Sequence, residues 1–179
     1  MIDKQDKINI QVSEAPINLA IKLIGTKISR YFKIFIEIIN LLYFDTIYND
    51  DYFEKMAGIE RRRKIRLRIY DVNSPTAKLE IKEKQGASQL KRSLTVTREE
   101  AEKIQTGDYS CLLEKKEPLA EELFFFMTGK QYRPVCIVEY KRRAFMSPTN
   151  DIRITFDSDI RSNEGNFNIF DKNLQTYPV

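Results

Sequence analysis

Histidine is absent from this chain of 179 residues, and cysteine occurs only twice. Without histidine, Ser–His and Cys–His nucleophile schemes are excluded. So is the usual Cys/His zinc site, and Cys111 and Cys136 have no CxxC spacing that would suggest another. A structural disulfide is not expected. Long hydrophobic runs are missing too. The most apolar window, 17–44, is broken by Lys22, Lys27, Arg30, Lys33 and Glu37. A membrane span needs about 20 mostly apolar residues, so none is expected, although a surface-lying amphipathic helix stays open. Residues 1–6 are polar and charged, unlike a secretory leader, and the expectation is a soluble, cytoplasmic protein. Excess charge is also small: 30 Lys plus Arg face 26 Asp plus Glu, a net +4. That argues for neither a nucleic-acid nor a membrane partner, so the placement of the cations matters more than their sum. Any catalysis here must rest on carboxylates, cations and bound metal.

What is present fits one globular domain, with 42% apolar and 31% charged residues. Between 17 and 39, apolar residues recur at mixed three- and four-residue steps. This predicts helix with β-branched interruptions, so 1–40 is expected to be a helical segment ahead of a domain at 41–179. Residues 41–45 read as a strand and 49–57 as a short helix closed by Gly58. Three strand-like runs follow, at 63–70, 77–84 and 90–96, separated by Asn73-Ser74-Pro75 and Gln85-Gly86. Thr97 and Glu100 form a capping-box pattern ahead of a helix ended by Gly107, and Pro118 opens another. Strand returns at 134–140, 142–146 and 152–156, with a further candidate at 167–170. The order is α+β, dominated by antiparallel hairpins.

Residues two apart on a strand share a face. Lys64, Arg66, Arg68 and Tyr70 therefore share one face, and Ile65, Leu67 and Ile69 the other. On the next strand Glu80, Lys82 and Lys84 lie opposite Leu79 and Ile81. A solvated outer face over a core would give the same alternation. Adjacent strands with repeated cations repel one another, however, unless an anion lies between them, and Arg and Lys donors suit phosphate oxygens. Spacing leaves both readings open. Tyr43, Phe44, Tyr52 and Phe53 admit core packing or base stacking, core packing being the expectation.

A resemblance carries the reading further. Leu42-Tyr43-Phe44-Asp45-Thr46, Tyr52, Glu54-Lys55, Gly58, the run Arg63 to Tyr70, Leu79-Glu80-Ile81-Lys82 and Arg153-Ile154-Thr155-Phe156-Asp157 resemble the VTC domain. That family belongs to the triphosphate tunnel metalloenzymes, with polyphosphate polymerases, triphosphatases and CYTH-type cyclases. The resemblance implies an antiparallel β-barrel of the triphosphate tunnel type with flanking helices. It implies phosphate ligands at Arg66 and Arg68, the R-x-R pair, and at Lys82, the E-x-K lysine. Lys91, Arg142 and Arg153 complete the set, Arg142 from Tyr140-Lys141-Arg142-Arg143-Ala144-Phe145. It also implies Mn²⁺ or Mg²⁺, with Glu80 and Glu139 as candidate carboxylates; an ion pair of Glu80 with Lys82 or Arg68 is the other reading.

Two strands of the family pattern are not found. Met1 to Asn40 shows no R-x-E-x-K strand, since Ile8 to Val12 alternates without a matching cation. No E-V-K-Y strand follows Asp157. The expectation is therefore a shortened barrel, incomplete at both ends. The implied function is that of a polyphosphate polymerase, moving a γ-phosphoryl group from a nucleoside triphosphate onto a growing chain. A CYTH-type triphosphatase, a non-catalytic polyphosphate-binding module and a truncated remnant are the alternatives.

Overall fold

The computed structural model describes residues 7–10, 33–147 and 153–179. The strands are β1 (Lys7–Ile10), β2 (Lys33–Thr46), β3 (Arg61–Ile69), β4 (Thr76–Gln85), β5 (Ser88–Thr97), β6 (Tyr132–Met146), β7 (Arg153–Asn163) and β8 (Tyr177–Pro178). The helices are α1 (Asp50–Met56), α2 (Arg98–Ile104) and α3 (Pro118–Gly129), with a 3-10 turn at Ser110–Leu112. Seven strands form a mainly antiparallel sheet, with β8 on β7. Among the described residues the sheet is not closed, because β5 pairs only with β4 and β1 only with β7.

The chain divides into two compact units. One comprises Asn40–Val138 and Ser162–Tyr177. In it β2, β3, β4 and β5 follow one another as antiparallel neighbours. Leu42 faces Leu67, Leu67 faces Leu79, and Leu79 faces Leu94, all on one side of the sheet. Those four leucines are fully buried. Burying each contributes about 1.5–3 kcal/mol relative to leaving it in water. Ala101 and Ile104 of α2, Cys111 and Leu112 of the 3-10 turn, and Ala120, Leu123 and Met127 of α3 belong to the same core. Ala120, Leu123 and Met127 are spaced to lie along one side of α3, while Phe125 is 62% exposed.

Local signals fix the element ends. Thr97 Oγ1 accepts from Glu100 N at 3.2 Å and Glu100 Oε2 accepts from Thr97 N at 2.7 Å, so the expected capping box is present. Pro118 occupies the first turn of α3. Gly58 closes the turn after α1 at φ +69°, where an L side chain would be strained.

The second unit comprises residues to Ile39, Glu139–Arg161 and Pro178–Val179. It holds the parallel pair β1–β7, in which Lys7 is opposite Arg153 and Ile10 opposite Phe156. Phe145 and Phe156 meet edge to face at 5.8 Å.

Three expectations are corrected. The helix foreseen through residue 39 is strand over 33–39, and 17–32 lie outside the described residues. Ile34, Ile36, Ile38 and Ile39 are β-branched, and that stiffness favours extended chain over the irregular three- and four-residue spacing. The runs 134–140 and 142–146 are one strand, β6. Residues 167–170 are not strand; Ile169 and Phe170 are instead buried from a turn.

Candidate phosphate-binding site

The face of the β3–β4–β5 sheet turned away from the core is built of charge. Cross-strand register sets Arg68 opposite Lys78, Arg66 opposite Glu80, Lys64 opposite Lys82 and Arg62 opposite Lys84. Lys82 in turn lies opposite Lys91 of β5. Opposed residues of an antiparallel pair share a face, so eight cations of these three strands and one carboxylate stand together in these pairs.

That carboxylate organises its surroundings. Glu80 is 1% exposed and receives Arg66 Nε on Oε2 at 2.8 Å. Its Oε1 meets Arg68 Nη2 at 2.6 Å and Lys91 Nζ at 2.7 Å. The Oε1 contacts lie at ion-pair distance without well-aligned hydrogen-bond geometry, so their attraction is mainly electrostatic. Burial alone would raise the Glu80 carboxyl; Lys91, Arg66 and Arg68 outweigh it and hold the group below its usual range. Arg66 reaches the Tyr43 hydroxyl at 3.4 Å, and Arg68 lies 4.9 Å from the Tyr70 ring. Three of the six expected phosphate ligands, Arg66, Arg68 and Lys91, thus gather on one carboxylate.

Lys82 shares this face and is exposed. Beyond it, Lys55, Arg62, Lys64, Lys82, Lys84 and Gln89 line a cavity of about 180 Å³. Burial, then the charges of Lys55, Lys82, Arg62 and Arg66, push the Lys64 ammonium below the ordinary lysine range. Protons are held less tightly there because the ammonium is buried and neighbouring cations crowd it.

Arg142 and Arg153 belong to the other unit. Arg142 is engaged by Asp157 in a two-pronged pair, Nε to Oδ1 and Nη2 to Oδ2, both 2.6 Å. It also stacks on Tyr140 at 5.2 Å. Arg153 is half-buried, and its Nε has no hydrogen-bond partner among the described residues. Of the aromatic group, Phe44 packs in the core and Tyr43 sides with Arg66, whereas Tyr52 and Phe53 are 54% and 59% exposed.

A third group was not foreseen. Asp45 accepts from the amides of Thr46, Asp51 and Tyr52 at 2.7–3.0 Å, tying the start of α1 to β2. Asp51 is buried, 3.0 Å from the Tyr132 hydroxyl, and burial pushes its carboxyl up to about 7. The Asp-Thr pair followed by Asp-Asp in the sequence was the available signal, read there only as the end of a strand and the start of a helix.

The VTC domain model matches residues 19–178. The chain belongs to the VTC domain family. No curated protein matches this VTC domain by sequence. Among solved structures it resembles a Bacillus halodurans protein provisionally assigned as an adenylate cyclase, at 13% identity and a TM-score of 0.50. The alignment covers 86% of this chain and 76% of that one. At this identity the likeness shows the fold alone, an α+β tunnel-type sheet.

The tunnel superfamily implies a divalent metal. The described residues do not fit a metal site made by protein alone. No group of three or more Cys, Asp or Glu side chains suited to a metal occurs among them. Glu80 already answers three cations, and Glu139 stands in the other unit. No helix among the described residues is long and apolar enough to cross a membrane.

Proposed function

We propose that this VTC domain binds polyphosphate, or the triphosphate of a nucleotide, on the cationic face of β3, β4 and β5, as a polyphosphate polymerase-like protein. The single observation that supports this most is the ordering of Arg66, Arg68 and Lys91 by one buried carboxylate. Long cationic side chains lose much conformational freedom when a ligand fixes them. Glu80 holds three of them in advance, so an incoming polyanion finds them placed. Arginine adds forked donors matched to phosphate oxygens. The phosphate-binding set on this face is Arg66, Arg68, Lys82 and Lys91; Arg142 and Arg153 are proposed as phosphate ligands within the other unit. In phosphoryl transfer such residues position the chain and neutralise its charge; they do not move protons.

The test is Arg66→Ala with Arg68→Ala. The pair removes no core volume but leaves the buried Glu80 with Lys91 alone, so thermal unfolding should show a folded, less stable protein while tripolyphosphate binding, measured by calorimetry, is lost. Unchanged affinity in the double variant would overturn the assignment. Incubating the parent with ATP and Mn²⁺ separates the enzymatic readings: new polymer supports the polymerase, released phosphate alone the triphosphatase, and binding without turnover a non-catalytic module.

A further inference from the structure

Helix α1 is attached in the reverse sense from the other helices. α2 and α3 send Ala101, Ile104, Ala120, Leu123 and Met127 into the core. The one buried residue of α1 is Asp51, and no residue from 47 to 59 joins the core cluster. Polar contacts hold the helix instead. Asp45 accepts from the amides of Asp51 and Tyr52, Thr46 Oγ1 accepts from that of Asp50, and Asp51 meets the Tyr132 hydroxyl.

The apolar side chains are thereby turned outward. Ile47, Tyr48, Tyr52, Phe53, Met56 and Ile59 are 44%, 73%, 54%, 59%, 65% and 47% exposed. They also gather in space. The Tyr52 and Phe53 rings meet edge to face at 5.4 Å, and Met56 follows Tyr52 by one helical turn. Ile59 N donates to Glu54 O at 3.0 Å, which folds that residue back onto the helix. At about 200 Å² for a large apolar residue wholly in water, these fractions amount to roughly 700 Å². The largest apolar patch of a typical monomer is about 300–600 Å², whereas a stable complex covers about 800 Å² on each partner. Tyr, Phe and Met are also the residues that the centres of interfaces favour.

Charge decides the partner. Asp50, Glu54 and Glu60 accompany these side chains, as do Lys55, Arg61 and Arg133, the last bound to Asn49 at 3.1 Å. The three carboxylates would repel an anionic lipid surface. A second copy related by a two-fold axis lets each sign meet its opposite. We propose that the apolar surface of residues 47–59 is a self-association interface, at which two copies of this chain pack α1 against α1. It uses none of the proposed phosphate ligands.

Sedimentation velocity of the full chain over a range of protein concentrations tests this. The parent should pass from monomer to dimer as concentration rises, and its Tm should rise in step. Phe53→Asp with Met56→Asp sets like charges across the axis and should abolish the dimer. Neither side chain fills core volume, so this variant should still melt cooperatively. Phe53→Ser with Met56→Gln adds no charge and should weaken the dimer at least about tenfold. Phe125→Asp, at a similarly exposed position on α3, should leave it unchanged. A parent that stays monomeric throughout refutes the proposal, and so does one that remains monomeric while floating with anionic vesicles. A dimer that survives both double variants, or that Phe125→Asp dissociates, refutes it too, because the contact would then lie on another surface.

Discussion

Replacing Glu80 by Gln isolates what the buried carboxylate does, because shape is kept and one charge is removed. Removing one partner of a buried ion pair costs about 3–5 kcal/mol, since the remaining charge is left buried and uncompensated. Here the cations keep some water: the side chains of Arg66, Arg68 and Lys91 are 22%, 17% and 43% exposed. Solvent answers part of their charge, which brings the expected cost down to about 2 kcal/mol. For a chain of this length that lowers Tm by roughly 4–8 °C. Tripolyphosphate binding should weaken as well. The variant loses the carboxylate that holds Arg66, Arg68 and Lys91 in place, so it should bind less tightly by about 1 kcal/mol, roughly fivefold. Saturating tripolyphosphate should recover much of the lost stability, because a ligand that binds only the folded state stabilises it. The stability gap also has a defined pH course. A carboxyl held below its unfolded value of 4.5 contributes stability that is fully present above that value. It is lost as pH falls through the lower folded value, so parent and variant should converge in acid. Thermal melts with and without tripolyphosphate, in the presence of a metal chelator, measure all of this. A variant as stable as the parent, or one that binds tripolyphosphate at least as tightly, refutes the reasoning.

Asp51 should show the converse pH course. Its carboxyl is raised from 3.8 to about 7, so it lends stability in acid that drains away as pH climbs from about 4 towards 7. Asp51→Asn should flatten that part of the curve of urea midpoint against pH, and an unchanged slope would show that another group causes it. Thr97→Ala removes the oxygen that accepts from Glu100 at the start of α2. It should cost about 1 kcal/mol in urea unfolding, and no measurable loss would mean that the cap is dispensable.

Strand parity made the two-faced sheet readable from the sequence. Once Ile65, Leu67, Leu79 and Ile81 were assigned to one side, the cations had to stand on the other, and the structure places them there. The capping box and the Pro118 start were legible for the same reason, being local. Partners across strands were not. Lys91 as a partner of Glu80 depends on the register of β4 against β5, which no local pattern specifies. Asp157 as the partner of Arg142 depends likewise on contacts between residues 15 apart. The first half of β2 was misread because Lys33 and Glu37 punctuate its isoleucines at helical spacing, while neighbouring strands decide the conformation. The crowded cavity at the start of β3 was half-legible: Lys64 and Lys84 were assigned to the right face, but Lys55 arrives from a helix whose placement the alternation could not supply.

Alternation on β3 and β4 also bears on how such a domain can change over generations. Arg62, Lys64, Lys82 and Lys84 project from the same backbone that holds Ile65, Leu67, Leu79 and Ile81, yet none of them fills core volume. Ligand preference can therefore drift by single substitutions at little expense to folding. An insertion or deletion of one residue within either strand has no such freedom, since it would exchange the two sides wholesale and bury the ammonium groups. Descendants of this chain should consequently vary in the letters of these strands and hardly at all in their length.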